Sequence, residues 1–219
     1  MGRMKLGVLI SGRGSNLQAL IHACSDNNDP AEIALVLSNR PDAKGLERAA
    51  AAGIATQVID HKSFDDRDAF DSALSDALSA ADVALVCLAG FMRLLQESFV
   101  ERWHDRVINI HPSLLPAFRG LNVHERVIQS GVRITGCSVH MVRSSVDDGP
   151  IIIQAAVPVL PQDTAHDLAA RVLKAEHKIY PEAVRLIAQG RIKLHSGRVD
   201  FVDSMELGAL LINPPLGRN

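Results

Sequence analysis

Short apolar segments alternate with amphipathic ones through the first hundred residues of this 219-residue chain. Four of the apolar segments have the length of β-strands, at 5–10, 33–37, 56–59 and 83–89. The segments between them carry apolar residues at helical spacing. Strands that are apolar on both faces and separated by helices are typical of a parallel sheet covered on both sides. Residues 1–100 are therefore predicted to form a Rossmann-like half.

The pattern changes in the second half of the chain. Residues 107–111 alternate between apolar and polar positions, as a strand with two different faces does. Segments 137–142 and 151–157 are predicted to be antiparallel strands, because an eight-residue polar connection joins them. The sequence thus predicts an α/β fold with a Rossmann-like mixed sheet. The N-terminal half is parallel, the C-terminal extension is antiparallel, and helices cover both faces.

A single domain is the simplest organisation, since no repeat or linker-like segment divides the chain. Within it, residues 101–195 follow the Rossmann-like half, and residues 196–219 are expected to be a tail that frays at its end. A helical stripe predicts a long helix over 164–189, which Pro181 should kink or split. Three widely spaced cysteines lie in apolar segments and are predicted to be buried free thiols.

Composition narrows the class of protein. The chain is 47% hydrophobic and 22% charged, with a net charge of -2, so it lacks the basic surface of a nucleic-acid binder. No apolar run approaches the roughly 18 residues that a membrane helix needs. Residues 1–10 lack the pattern of a signal peptide. A cytoplasmic protein without nucleic-acid or membrane partners is expected.

The turn at residues 11–16 reads Ser-Gly-Arg-Gly-Ser-Asn, between the first strand and the first helix. Such a turn offers free backbone N–H groups and the positive end of a helix dipole to an anion. Leu17 stands where a dinucleotide fingerprint needs glycine, and Asn39 where it needs an acidic residue. The turn therefore fits one phosphomonoester, the alternative being a tight turn that binds nothing.

Asn109 and His111 are predicted to share one face near the carboxyl end of their strand, where α/β sheets bind ligands. An amide donor beside an imidazole suits acyl transfer, because the two groups can stabilise an oxyanion and move protons. The alternative is a hydrogen-bonded pair in the core. Pro112 keeps His111 extended, so the geometry should persist.

Asp147 opens an Asp-Asp-Gly-Pro segment in the polar connection. A carboxylate near an imidazole raises its pKa and can relay protons, although Asp-Gly is also a common turn. His140 lies on a strand beside this connection, but no local spacing supports a metal site with His111 and Asp147, so no metal is predicted. An apolar group at 88–100 could line a flat pocket or belong to the core. Glu176, in mid-helix, is by default a surface residue.

Together these segments closely resemble the phosphoribosylglycinamide formyltransferase family. The motifs are ISGRGSNL at 10–17, NIHPSLLP at 109–116 and DDGP at 147–150. Glu-His followed by Tyr-Pro at 176–181 is also similar to that family. The resemblance runs from about residue 4 to residue 195. It implies the formyltransferase fold and direct transfer of a formyl group from 10-formyltetrahydrofolate to the amine of glycinamide ribonucleotide in purine synthesis.

The resemblance also implies roles for individual residues. The implied catalytic residues are Asn109, His111 and Asp147. The implied contacts of the ribonucleotide are Gly14, Ser15 and Asn16 to the phosphate and Glu176 to the ribose hydroxyls. The implied folate contacts are Arg67, Met92, Arg93, Leu94, Leu95, Asn109, Arg143, Ser144, Ser145, Val146 and Asp147. In the implied mechanism Asn109 and protonated His111 stabilise the oxyanion, and Asp147 raises the pKa of His111 and helps to move the amine proton.

Three alternatives stay open. Arg119, in the Phe-Arg-Gly segment, is similar to the methionyl-tRNA formyltransferase version of this loop, but the length, charge and phosphate turn of the chain oppose that branch. An NADP-dependent oxidoreductase could use Arg40 for a 2′-phosphate. A third option is a ligand-binding module without catalysis. A homodimer is an option that the sequence does not decide.

Overall fold

The computed structural model describes residues 2–202. It confirms the predicted strands and long helices, with ends shifted by a few residues. In chain order the elements are β1 (Met4–Ile10), α1 (Ser15–Cys24), β2 (Ala31–Ser38), α2 (Gly45–Ala51), β3 (Thr56–Val58), α3 (Arg67–Ala80), β4 (Leu85–Leu88), α4 (Glu97–Arg102), β5 (Val107–His111), α5 (Val123–Ser130), β6 (Ile134–Met141), β7 (Ile151–Pro158), α6 (Ala165–Ala188), β8 (Ile192–His195) and β9 (Arg198–Phe201).

Seven strands form one mixed sheet in the order β3-β2-β1-β4-β5-β6-β7. The first five pair in parallel, and β6 and β7 join antiparallel, as the sequence pattern predicts. Helices α1, α2, α5 and α6 pack on one face through the larger apolar cluster, and α3 and α4 pack on the other. The predicted fold class is confirmed.

Strand β5 divides its side chains between the two faces. Ile108 and Ile110 belong to the larger cluster, whereas Val107 belongs to the smaller one. Because side chains alternate along a strand, Asn109 and His111 lie on the face of Val107. These polar side chains are therefore at the carboxyl end of a central strand, where burial is nearly complete for His111.

Helix α6 is one continuous helix of 24 residues, so of the two effects predicted for Pro181, a kink or a split, the split is wrong. The apolar stripe continues on both sides of Pro181, with Tyr180 and Val184 fully buried against the sheet. This packing holds the helix together where one backbone hydrogen bond is missing. Neither α6 nor any other helix within residues 2–202 combines the length and apolar character needed to cross a membrane.

Three elements are absent from the sequence prediction. Helix α5 follows the 112–122 loop and buries only Val123 and Val127. Two apolar positions are too short a stripe to predict a helix. Strands β8 and β9 form a separate hairpin, so the expected tail begins with a strand. The remainder of that tail, including the end expected to fray, lies outside the described residues.

The cysteines are free within the described chain, as predicted. Cys87 and Cys137 are buried and Cys24 is partly buried. Burial raises the pKa of Cys24 to about 11 and that of Cys137 to about 12. All three thiols are therefore protonated at neutral pH and act as packing groups.

Tyr180 provides a test of how α6 is fixed to the sheet. Its hydroxyl donates to the carbonyl of Leu88, at 2.9 Å, and lies 3.3 Å from that of Ile108. Tyr180→Phe keeps the ring and removes the donor, so we expect a loss of about 1 kcal/mol in unfolding free energy and a melting temperature roughly 2–4 °C lower. Chemical and thermal unfolding measure this. Unchanged stability would show that the hydroxyl contributes no net free energy.

Candidate active site

The predicted site residues meet at one edge of the sheet. Strands β1, β4 and β5 are parallel neighbours, so the turn after β1 and His111 at the end of β5 lie on the same edge. Strand β4 separates them, which sets a distance of roughly 10 Å, twice the spacing of hydrogen-bonded strands. The carboxyl edge of a parallel sheet is where α/β proteins bind ligands.

The turn after β1 depends on glycine. Gly14 has a φ of 70°, and a Cβ atom there would lie 2.6 Å from Gly45 Cα at the start of α2. The Gly12 carbonyl accepts a hydrogen bond from Gly45 N–H, so α2 supports the turn from behind. Helix α1 then begins at Ser15 without a side-chain cap. The first backbone N–H groups of α1 consequently stay available to an anion.

Ser11 has a structural part in this turn. Its hydroxyl donates to Asn39 Oδ1 at 2.6 Å and accepts a hydrogen bond from Met92 N–H at 2.8 Å. Its own N–H donates to the Gly90 carbonyl. Ser11 therefore joins the turn to the loop after β4, and its hydroxyl is directed away from any ligand of the turn.

Glu176 is buried, so its assignment to the surface by default is wrong. Only 7% of Glu176 and 8% of Asn16 is exposed, and Asn16 Nδ2 donates to Glu176 Oε2 at 2.7 Å. Burial raises the pKa of Glu176, while the hydrogen bond from Asn16 opposes the shift. Among residues 2–202 no protein group donates to Asn16 Oδ1, which is buried. Buried polar atoms normally have partners, so this oxygen points to a ligand with a hydrogen-bond donor.

His111 and Asp147 are in direct contact, although 36 positions of sequence separate them. His111 Nδ1 lies 3.3 Å from Asp147 Oδ2, and the two side chains are only 7% and 10% exposed. His111 Nε2 donates to the carbonyl of Phe118 at 3.0 Å. Asp147 Oδ2 also accepts a hydrogen bond from Gly120 N–H at 2.9 Å. Segment 118–120 thus contacts both members of the pair.

Asn109 reaches the same group through His140, which faces it across the β5–β6 pairing. His140 Nδ1 donates to the Met141 carbonyl at 2.8 Å, so the neutral ring has its lone pair on Nε2. Nε2 faces Asn109 Nδ2 at 3.3 Å and Asp147 Oδ1 at 3.7 Å. His140 was considered in the sequence only as a metal ligand. Its place opposite Asn109 depends on strand register, which the sequence does not reveal.

Burial and charge act in opposite directions on this pair. Burial has the largest effect on His111 and lowers its pKa, while the Phe118 carbonyl and the charge of Asp147 raise it. The expected upward influence of Asp147 is present, but the net shift is downward because burial outweighs it. Burial alone would raise the pKa of Asp147, yet the neighbouring His140 ring, the hydrogen bond from Gly120 N–H and the nearby His111 ring bring it below its usual value.

The turn that carries Asp147 is tightly closed. Asp147 has a φ of 51°, in the left-handed region that few non-glycine residues adopt. A Cβ atom at Gly149 would lie 1.8 Å from the Met141 carbonyl oxygen, so only glycine fits. Met141 N–H donates to the Pro150 carbonyl at 2.9 Å, which completes the turn. This backbone directs the carboxylate of Asp147 inward, toward His111.

Apolar side chains are exposed around the same edge. Met92 and Leu94 are 69% and 62% exposed, and Val146 is 47% exposed. Leu95 and Val142 both pack against the smaller core cluster, so segments 92–95 and 143–147 both adjoin the face of the sheet that carries Asn109 and His111. Large apolar side chains that face solvent next to polar catalytic groups are typical of a ligand cleft.

The charged residues of the predicted folate site are divided. Arg67 is exposed, and the charges of Arg67 and Arg93 both oppose the rise in the pKa of Asp71 that burial causes. Asp71 accepts a hydrogen bond from Gln96 N–H at 2.6 Å and so holds the end of the loop after β4, a role that the sequence analysis did not assign. The Arg143 guanidinium is directed to Asp105, 2.5 Å away. Ser144 and Ser145 are exposed.

Metal binding was also considered for this site. His111 and His140 both approach Asp147, but within residues 2–202 no group of three His, Cys, Asp or Glu side chains is arranged to hold a metal ion. The basic partner of Asp147 is therefore an imidazole. The absence of a metal from the reaction stays a prediction.

Comparisons with known proteins identify the family of this chain. The formyl transferase family model matches residues 4–184. The phosphoribosylglycinamide formyltransferase of Escherichia coli (strain K12) is 46% identical over 214 residues, which are 98% of each chain. The trifunctional purine biosynthetic protein adenosine-3 of Bos taurus is 49% identical over 201 residues. That match covers 91% of this chain, which spans only about a fifth of the trifunctional relative.

Solved structures are similar over the whole sheet. The glycinamide ribonucleotide transformylase 1 of Symbiobacterium toebii has a TM-score of 0.90 and is 49% identical, covering 92% of this chain and 95% of its own. The phosphoribosylglycinamide formyltransferase of Anaplasma phagocytophilum has a TM-score of 0.86 at 50% identity, with 94% and 97% covered.

The His111–Asp147 contact can be tested without a substrate. Asp147→Asn removes the negative charge that raises the pKa of His111. Because this charge no longer opposes the effect of burial, the pKa of His111 should fall further below its usual value. Titration of the ring by NMR measures this. The control is Asp76→Asn on α3. It removes an exposed carboxylate that is paired with Arg102 and should leave the pKa of His111 unchanged. A pKa that rises or stays constant in Asp147→Asn would contradict the assigned contact.

Proposed function

This chain belongs to the formyl transferase family, and we propose that it transfers the formyl group of 10-formyltetrahydrofolate to the amine of N1-(5-phospho-D-ribosyl)glycinamide. The products are the N-formyl ribonucleotide and tetrahydrofolate, in purine synthesis. The observation that carries the proposal is the convergence of Asn109, His111 and Asp147 on the sheet edge that also holds an open helix N-terminus. A cytoplasmic location is part of the proposal.

The ribonucleotide is proposed to bind with its phosphate on the turn before α1. Backbone N–H groups of Gly14, Ser15 and Asn16 would contact the phosphate oxygens. Glu176 would accept hydrogen bonds from the ribose hydroxyls, and the buried Asn16 Oδ1 lacks a protein donor in the described chain, which supports a hydroxyl-bearing ligand there. The glycinamide arm would then extend along the sheet edge toward His111.

The folate is proposed to occupy the apolar cleft between segments 92–95 and 143–147. The exposed side chains of Met92, Leu94 and Val146 support this, because a pterin and its aromatic linker are flat and mostly apolar. Arg67 and Arg93 would lie on the same side of this cleft, and their guanidinium groups suit the carboxylates of the folate's glutamate. The Arg143 side chain is paired with Asp105. Arg143 would therefore contact the folate through its backbone, or its side chain would have to leave Asp105.

The reaction is proposed to be direct. The neutral amine attacks the formyl carbon, and the carbonyl oxygen becomes an oxyanion that Asn109 N–H and the protonated His111 ring stabilise. The amine proton passes to Asp147, directly or through water. The folate nitrogen takes up the proton that Asp147 received and departs, which restores the C=O bond and completes the transfer. The buried imidazole gains its proton most readily when the oxyanion develops beside it.

The alternatives are weaker for specific reasons. A dinucleotide site needs glycine at position 17, where Leu17 is fully buried in α1. Arg40, the candidate reader of a 2′-phosphate, is paired with Asp42 at 2.7 Å. The methionyl-tRNA branch is distinguished by assay, since it predicts formylation of the charged tRNA and none of glycinamide ribonucleotide.

The function is tested with purified protein, glycinamide ribonucleotide and 10-formyltetrahydrofolate, following the folate product by absorbance. His111→Ala should lower kcat about 10²–10⁴-fold, and Asn109→Ala about 10²–10³-fold, because each removes a group that acts on the developing oxyanion. The control is His104→Ala, whose ring is 59% exposed outside this site. Turnover at the wild-type rate in both site variants would refute the catalytic assignment.

Glu176→Gln separates substrate binding from stability. Hydrogen bonds to a charged group are worth about 1.5–3 kcal/mol, so KM for the ribonucleotide should rise about 10–100-fold. Because burial raises the pKa of Glu176, the charged form costs stability at neutral pH, and this cost is relieved as pH falls through the raised pKa. The variant should therefore be at least as stable as the wild type at pH 7.

In the wild type this carboxyl group should add stability as the pH is lowered. Glu176→Gln should lose that gain. Thermal unfolding at several pH values measures it. Glu182→Gln, on the same helix but 44% exposed, is the matched control and should change neither KM nor stability appreciably. A Glu176→Gln variant with unchanged KM would contradict the ribose assignment.

A further inference from the structure

Residues 118–121 form a short backbone segment, here named the strap, that lies across the catalytic pair. Its Phe118 carbonyl accepts a hydrogen bond from His111 Nε2, and its Gly120 N–H donates to Asp147 Oδ2. Phe118 and Gly120 have φ values of 54° and 80°, so the backbone is in the left-handed region at both contact points. Glycine adopts this conformation freely, but at Phe118 it persists only when its surroundings enforce it.

The strap has little packing of its own at its end, since Leu121 is 78% exposed. Arg126 of α5 supplies the missing contacts. Its Nη1 donates to the Arg119 carbonyl at 2.6 Å and lies 3.3 Å from the Leu121 carbonyl. Its guanidinium carbon is 5.8 Å from the centre of the Phe118 ring, within the range of a cation–π contact. One side chain thus contacts three of the four strap residues.

We propose that Arg126 is a positioning residue for the His111–Asp147 pair and acts through the backbone of the strap. The inference rests on the proposed function, in which that pair is catalytic. A second contact supports the arrangement, because the Arg119 side chain is paired with Asp148, next to Asp147. The strap is therefore fixed to α5 on one side and to the catalytic turn on the other.

The strap also determines which ring nitrogen of His111 carries a proton. A carbonyl can only accept, so Nε2 must be protonated to bond Phe118, and Nδ1 then faces a carboxylate. Only the doubly protonated ring donates to both acceptors, and it is the positive charge of this form that can stabilise a nearby oxyanion. The other charged or titratable groups near His111 are His140 on β6 and His124 and Arg126 on α5, and these oppose its positive charge.

The test compares Arg126→Ala and Arg126→Lys with the wild-type enzyme. Displacement of a catalytic group by about 1 Å can cost 10²-fold in rate, so we expect Arg126→Ala to lower kcat about 10–100-fold with KM for the ribonucleotide within about twofold. Arg126→Lys retains the charge and a donor and should recover a large part of the loss. The matched control is Arg106→Ala, which also bonds a carbonyl and stacks on an aromatic ring, Trp103, outside the site.

A double variant decides whether Arg126 acts through His111. If it does, adding Arg126→Ala to His111→Ala should cause no further loss of turnover. Losses that multiply would overturn the proposal, as would a wild-type kcat in Arg126→Ala. Circular dichroism at the assay temperature shows whether Arg126→Ala is folded. If its fall in kcat only follows unfolding, and the folded Arg126→Lys variant has the kcat of the wild type, the proposal is also overturned.

NMR of the free protein keeps this test separate from the proposed function. The ¹⁵N shifts of the His111 ring report which nitrogen is protonated. We expect Arg126→Ala to shift the Nε2 resonance and Arg106→Ala to leave it unchanged, whether or not glycinamide ribonucleotide is a substrate. An unchanged His111 ring in Arg126→Ala would overturn the positioning role. Absence of formyl transfer by the wild-type enzyme would instead refute the proposed function.

Discussion

The contact between His111 and Asp147 is the constraint around which this edge of the molecule is arranged. Both side chains are almost excluded from solvent, and burying a charge is costly unless it is paired and hydrogen-bonded. The Phe118 carbonyl accordingly accepts a hydrogen bond from His111, Gly120 N–H donates one to Asp147, and the His140 ring lies 3.7 Å from the second oxygen of Asp147. The left-handed backbone at Asp147 and the close packing of Gly149 are local costs of bringing the carboxylate to this place.

Stability is given up at other points of the same edge. Glu176 is a buried carboxylate whose pKa is raised by that burial, and its one hydrogen bond from the protein comes from Asn16. Large apolar side chains, Met92 and Leu94, face solvent in the loop after β4. Functional sites commonly carry such unfavourable features, because groups that must receive a ligand cannot be satisfied by the protein itself.

The sequence predicts what depends on periodicity. Alternation places Asn109 and His111 on one face of a strand, and the strand–helix rhythm predicts the parallel half of the sheet. Periodicity does not predict contacts that depend on strand register or on an irregular backbone conformation. The pairing of Asn109 with His140 follows from the register of β5 and β6, and the reach of Asp147 follows from its φ of 51°.

The error at Glu176 has a different origin, because its signal was present. Glu176 lies four residues after Val172 and four before Tyr180, both of which are fully buried. Helical spacing therefore places the carboxylate on the buried stripe, and only the low frequency of buried glutamate argued for the surface. Pro181 was misjudged for a related reason: packing of the same stripe on both sides of it outweighs one lost hydrogen bond.

The sheet also explains how two ligands could be held at a fixed separation. Strand β4 sets the spacing between the turn before α1 and His111, and neither end can move without breaking a parallel pairing. Ser11 extends this rigidity beyond the strands, because its backbone and hydroxyl bond the loop at Gly90 and Met92. The turn before α1 and the apolar loop after β4 are thus one hydrogen-bonded unit. A shift of either would be transmitted to the other, so the two ligands would be held by a common frame on which the geometry of transfer depends.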